Sequence, residues 1–99
     1  NESIVWNIKG IGDVECTGVI SAEQRDYGFE AFFTSEIKAP ETIKEELDKK
    51  YPYQAGQYQV KLNIKMEYNS RKKQYSTKKA DFILSDGEKT VYRETITMT

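Results

Sequence analysis

Five basic side chains fall within nine residues of this 99-residue chain: Arg71, Lys72, Lys73, Lys78 and Lys79, with no acid between them. Lys61, Lys65 and Arg93 lie in flanking segments, and Tyr75 sits inside the run. Such a set suits one kind of chemistry. Ammonium and guanidinium groups track a phosphate backbone while an aromatic ring stacks on a base. The same residues also have a plainer use. Lysine keeps sheet edges from pairing with other sheets, and a charged hairpin tip is at home in water.

Catalytic chemistry has less to work with. The chain holds no histidine and one cysteine, Cys16. Ser-His and Cys-His nucleophile pairs are therefore excluded within the chain, as are histidine-based zinc sites. One cysteine also excludes an internal disulfide and a multi-cysteine metal site. Two carboxylates can form a general acid/base pair, but no pair is marked. Asp13 and Glu15 flank a turn, and Glu45 and Glu46 fall on the exposed face of a helix. There is no phosphate-binding glycine loop and no nucleophile elbow. Asp86-Gly87-Glu88 is too short for a calcium loop. The expectation is a protein that is not an enzyme and carries no metal or cofactor.

A chain of this length makes a single domain, residues 1–99, and can fold without a disulfide or metal. Net charge is −1, but unevenly placed: residues 1–50 carry −5 and residues 51–99 carry +4. The two halves are expected to share a sheet and partly neutralise each other, or else to give the second half a basic partner surface. No apolar run approaches the roughly 18 residues needed to cross a bilayer. A start at Asn1 rather than Met points to a processed form, an extracytoplasmic one being compatible with it; the compartment is otherwise unassigned.

The elements follow from hydrophobic period. In Tyr58 to Tyr68 every second residue is apolar or aromatic (Tyr58, Val60, Leu62, Ile64, Met66, Tyr68) and those between are polar, the pattern of a long strand with one face in a core. Ile4, Trp6 and Ile8 alternate in the same way, as do Val14, Cys16, Gly18 and Ile20. With Gly10-Ile11-Gly12-Asp13 as turn they form a hairpin that places Trp6 opposite Cys16, with Gly18 leaving room for the indole. Cys16 then points inward and is inert. Ser21-Ala22-Glu23-Gln24 has the spacing of a capping box, for a helical turn or a structured loop. Tyr27, Phe29, Ala31 and Phe33 make a third strand; Phe32 breaks its pattern and is either covered or exposed for a partner.

Pro40 suits the first position of a helix, and Glu41 its positive end. Ile43, Leu47 and Tyr51 form one apolar stripe, Glu45–Lys49 and Glu46–Lys50 are i,i+4 pairs, and Pro52 stops the helix. A loop from Tyr53 to Gln57 follows. The long strand returns through Asn69 to Lys73 to a strand holding Ala80, Phe82 and Leu84, with Leu62 opposite Ala80 and Val60 opposite Phe82. Ser85-Asp86-Gly87 closes the last hairpin as a three-residue loop. That opposes Phe82 to Thr90, Ala80 to Tyr92 and Lys78 to Glu94, and turns Tyr92, Ile96 and Met98 of the strand from Lys89 to Met98 inward.

The fold class is α+β, mainly antiparallel β in the order β-β-β-α-β-β-β, as a strongly curled sheet or open barrel with one helix packed against it. An oligonucleotide-binding barrel also places its helix between the third and fourth strands, but needs one strand fewer. Alternation puts Lys61, Lys65, Lys79 and Arg93 on the outward face, with Tyr75 among them and Arg71, Lys72 and Lys73 at the hairpin tip. The leading expectation is a binding or accessory domain that contacts another protein, because seven tyrosines cannot all be buried with their hydroxyls satisfied. The alternative is a single-stranded nucleic-acid binder using the basic sheet face. A pocket for a small apolar ligand inside the curl is a third reading.

Overall fold

A computed structural model describes residues 1–26, 28–51 and 56–98. Within them six strands and one helix follow in the expected order: β1 (Glu2–Ile8), β2 (Gly12–Arg25), β3 (Gly28–Lys38), α1 (Glu41–Lys50), β4 (Tyr58–Asn69), β5 (Gln74–Asp86) and β6 (Lys89–Thr97). All six form one antiparallel sheet whose strand order is the sequence order. This uninterrupted meander differs from the Greek-key connection of an oligonucleotide-binding barrel. The sheet curls into a half-barrel. Trp6 Nε1 on β1 donates to Glu94 Oε1 on β6 at 3.2 Å, and Trp6 stacks on Phe82 of β5.

Period two decides which residues enter the core. Val14, Cys16, Phe33, Val60, Leu62, Phe82 and Leu84 are all completely buried on the concave face. Ile43 and Leu47 of α1 close over them. A fully buried side chain of this kind stabilises the fold by about 2 kcal/mol, so this cluster dominates it. It fills the covered part of the curl, where the sequence allowed a ligand pocket. Cys16 is inward as expected, and burial raises its thiol pKa. The acidic and basic halves meet along β3 and β4, where Glu36 lies opposite Lys61 and Glu30 meets Lys65 at 3.6 Å.

Several local expectations are corrected. Residues 21–24 start no helical turn; they continue β2, whose ladder with β3 runs unbroken from Gly18↔Ser35 to Arg25↔Gly28. The third strand is longer than expected and ends at Lys38. Trp6 lies opposite Val14, and Ile4 opposite Cys16. Gly18 does not make room for the indole: a Cβ there would sit 2.1 Å from the Thr34 carbonyl oxygen, so glycine lets β2 and β3 approach. The β4–β5 register is Leu62↔Phe82 and Val60↔Leu84, two residues from the expected one.

The last hairpin turns through two residues, Gly87 and Glu88, between Asp86 and Lys89, with Gly87 at φ 65°. Asp86 leaves the turn and uses its buried carboxylate elsewhere. It accepts hydrogen bonds from the Gly56 and Gln57 amides at 3.1 and 2.9 Å. A register shift beyond Leu84 adds to the change, so Phe82 faces Glu94 and Ala80 faces Ile96. Ile96 is on the concave face yet 42% exposed, and Met98 lies exposed beyond the strand.

The helix begins at Glu41, with extended Pro40 as its N-cap. Glu45 and Glu46 both reach Lys49, and Lys44 pairs with Asp48. Tyr58 donates its hydroxyl to Asp48 at 3.2 Å, and Ile43 lies against Gly12. These contacts hold α1 over the end of the sheet formed by Gly12, Tyr58 and Asp86. Tyr27 and the loop segment 52–55 lie outside the described residues.

Candidate functional site

The eight residues selected from sequence do not form one site. Lys61, Lys65, Lys79 and Arg93 do share the convex face, in adjoining rows of β4, β5 and β6. There they are largely matched by acids. Arg93 donates to both carboxylate oxygens of Asp81 at 3.1 and 2.8 Å, and Thr95 Oγ1 donates to the same group at 2.9 Å. Those Arg93 hydrogen bonds, helped by Thr95 and the charge of Lys79, hold the Asp81 carboxyl below its usual range. Lys65 meets the buried Glu30 carboxylate, which also takes a hydrogen bond from Arg25 Nε at 3.2 Å. Phe32 is half-buried between these groups. With Thr34, Asn63, Lys65, Lys79 and Asp81 it lines a shallow depression of about 300 Å³.

Tyr75 is not on this face. The β4–β5 register shifts between Lys65 and Met66, after which Met66 opposes Thr77 and Tyr68 opposes Tyr75. The extra residue reverses the alternation of β5. Tyr75 therefore joins the concave side, its ring centroid 5.1 Å from that of Tyr68. Phe29, opposite neither but on the next strand, lies 6.4 Å from Tyr68 edge-on. Arg71, Lys72 and Lys73 turn the hairpin immediately beyond. The Asn69 side-chain oxygen shapes that turn by accepting from the Arg71 and Lys72 amides at 2.9 and 3.1 Å. Lys73 completes it with φ 53°. No ion pair engages Arg71, Lys72 or Lys73 among the described residues, whereas Lys78 pairs with Glu67 at 3.8 Å.

This end of the sheet is open because the outer strands are short. β1 stops at Glu2 opposite Gly18, and β6 stops at Thr97 opposite Lys79. Beyond them, among the described residues, only β2 to β5 continue, and α1 lies at the other end. The concave surface left uncovered holds Ile20, Phe29 and Tyr75 at 50%, 46% and 51% exposure, with Met66 and Tyr68 partly buried beside them. Aromatic and aliphatic surface in contact with water is the kind that partners bury.

Phe29 and Tyr68 were not singled out by the sequence, which placed them in a core face. The missing signal is the length of the outer strands, which decides where that face ceases to be covered. Among the described residues there is no group of three or more Asp, Glu, Cys or His side chains able to hold a metal, and no helix is long and apolar enough to cross a membrane. Comparison of the chain with protein-family models, with characterised proteins and with solved structures finds no match in any of the three.

Proposed function

We propose that this chain is a non-enzymatic binding domain that contacts another protein through the open end of its concave face. One observation carries the reading: Phe29, Tyr68 and Tyr75 form a half-exposed aromatic cluster on the same concave side as Ile20 and Met66, on sheet surface at the end away from α1. Rigid aromatics of this kind anchor protein interfaces at low entropic cost. The absence of histidine from the sequence and the burial of Cys16 support a role without catalysis.

The test compares the protein with a Phe29→Ser/Tyr75→Ser variant as bait in an extract of its source. Partners retained by the first and lost by the second support the reading. An identical set of retained proteins overturns it. Both positions are exposed, so the variant is expected to keep its circular dichroism spectrum.

A second reading is favoured by the placement of Arg71, Lys72 and Lys73 beside the same aromatic cluster. A single strand of nucleic acid would stack on Phe29 and Tyr75 while the cations met its phosphates. Its signature is affinity for a mixed-sequence oligonucleotide that falls linearly with the logarithm of salt concentration. An Arg71→Glu/Lys72→Glu/Lys73→Glu variant would lose that binding, and Lys61→Glu/Lys65→Glu/Lys79→Glu would lose less. No binding at low salt removes this reading.

A further inference from the structure

The sheet has two stretches of free edge at its open end, and they are built differently. On β5, residues 74–78 extend past β6, and that edge carries Lys78 beside a register shift, with the Met98 amide bonded to the Lys78 carbonyl at 2.9 Å. Lysine and irregularity are the usual means of stopping an edge from pairing. On β2, residues 19–25 extend past β1, and the two charges they carry, Glu23 and Arg25, pair with each other at the far end. They contain no proline, glycine or lysine, pair with β3 without irregularity, and are all exposed. Such an edge offers unpaired backbone N–H and C=O groups along about 23 Å.

We propose that residues 19–25 of β2 accept an extended peptide strand from a protein partner, added in line with β1; this rests on the reading that the domain binds protein, and names how. The side chains define the strand that fits. Ile20 and Ala22 lie on the concave side, opposite Phe33 and Ala31 of β3, and ask for apolar residues beside them. On the convex side Val19 is exposed, and Glu23 pairs with Arg25, which also reaches Glu30. Glu2 and Asp26, also exposed, stand at the two ends of the stretch. The partner strand is therefore apolar at alternate positions and basic at those between, the complement of this acidic half of the chain.

The probe is an acetylated, fluorescein-labelled peptide, Val-Lys-Val-Lys-Val-Lys-Val, titrated against the protein. Two equally charged copies are N-methylated, one at its lysines and one at its inner valines. Edge pairing predicts binding that at least one N-methylated copy weakens tenfold or more, and amide exchange across residues 19–25 slowed at least tenfold. Ile20→Lys and Ala22→Lys, both at exposed positions, should each weaken binding at least tenfold. No binding at millimolar peptide, parent-like binding by both N-methylated copies, or indifference to both lysine variants overturns the proposal. So does protection of residues 19–25 that rises with protein concentration alone, which would make a second copy the occupant. If peptide binding falls only in Phe29→Ser/Tyr75→Ser, the edge is overturned and the broader reading stands. If peptide binding persists in that variant while partner capture never depended on it, the edge stands and the aromatic site falls.

Discussion

Trp6 and Phe82 lie face to face, ring centroids 5.4 Å apart and planes within 4° of parallel. The first strand is thereby packed on the fifth, across the curl of the sheet. The indole N–H is anchored by Glu94, which also accepts from the Tyr92 hydroxyl at 3.3 Å. Trp6→Ala should cost about 3 kcal/mol, through lost apolar burial and the gap left against Phe82. Glu94→Ala should cost about 1 kcal/mol, by leaving a part-buried N–H without its acceptor. Chemical denaturation of both variants checks the order.

At Gly18 the backbone of β2 lies directly against that of Thr34 and Ser35 on β3. An alanine Cβ would meet the backbone of Thr34 and Ser35, at 2.8 Å or less for two of its atoms, and a backbone cannot rotate away as a side chain can. Gly18→Ala is expected to destabilise by about 3 kcal/mol. Gly10→Ala has open space around it but a φ of 81°, so strain alone should cost about 1 kcal/mol. Thermal unfolding of the pair separates the two mechanisms.

The Asp81–Arg93 pair predicts a pH dependence of definite sign. Hydrogen bonds from Arg93 hold the Asp81 pKa below its ordinary value. Its contribution to stability is therefore complete above the unfolded value, about 4, and is lost as pH falls through the lower folded one. Asp81→Asn should lower the unfolding temperature at pH 7, and the difference from the parent should vanish in strong acid. A constant difference across that range would refute the assignment.

Tyr58 behaves in the opposite sense. Burial first, then the hydrogen bond and charge of Asp48, push its phenol up to about 12. Its neutral form is favoured in the fold, so the contribution holds below the ordinary phenol value of about 10 and is lost between there and the raised one. Tyr58→Phe should cost about 1 kcal/mol at neutral pH, and the deficit should shrink as pH rises above the ordinary phenol value. Absorbance titration should show one late-ionising phenol fewer in the variant.

The sequence carried the number, order and inward faces of the strands because a half-buried strand writes its own period. It carried register less well. Period two allows any slip of two residues, since the same side chains remain inside. The expected pairings Trp6–Cys16 and Leu62–Ala80 miss by that interval. Ser21 to Gln24 resembled a helix start because its capping-box spacing outweighed the weak alternation of Ile20, Ala22 and Gln24. The basic residues of the convex face were legible as a group. Tyr75 was misplaced because one unpaired residue near Lys78 changes the parity of everything beyond it, and no residue type marks the change.

Strand order equal to sequence order also bears on how the chain reaches its fold. Each strand pairs with the one before it, so most of the sheet grows by adding hairpins, and short loops close fast. The Trp6–Glu94 hydrogen bond spans 88 positions and draws the two outermost strands together. It requires the intervening sheet to exist first. In stopped-flow refolding, the indole fluorescence change should lag behind amide protection in β3 and β4. Glu94→Ala should raise the unfolding rate and leave the folding rate nearly unchanged.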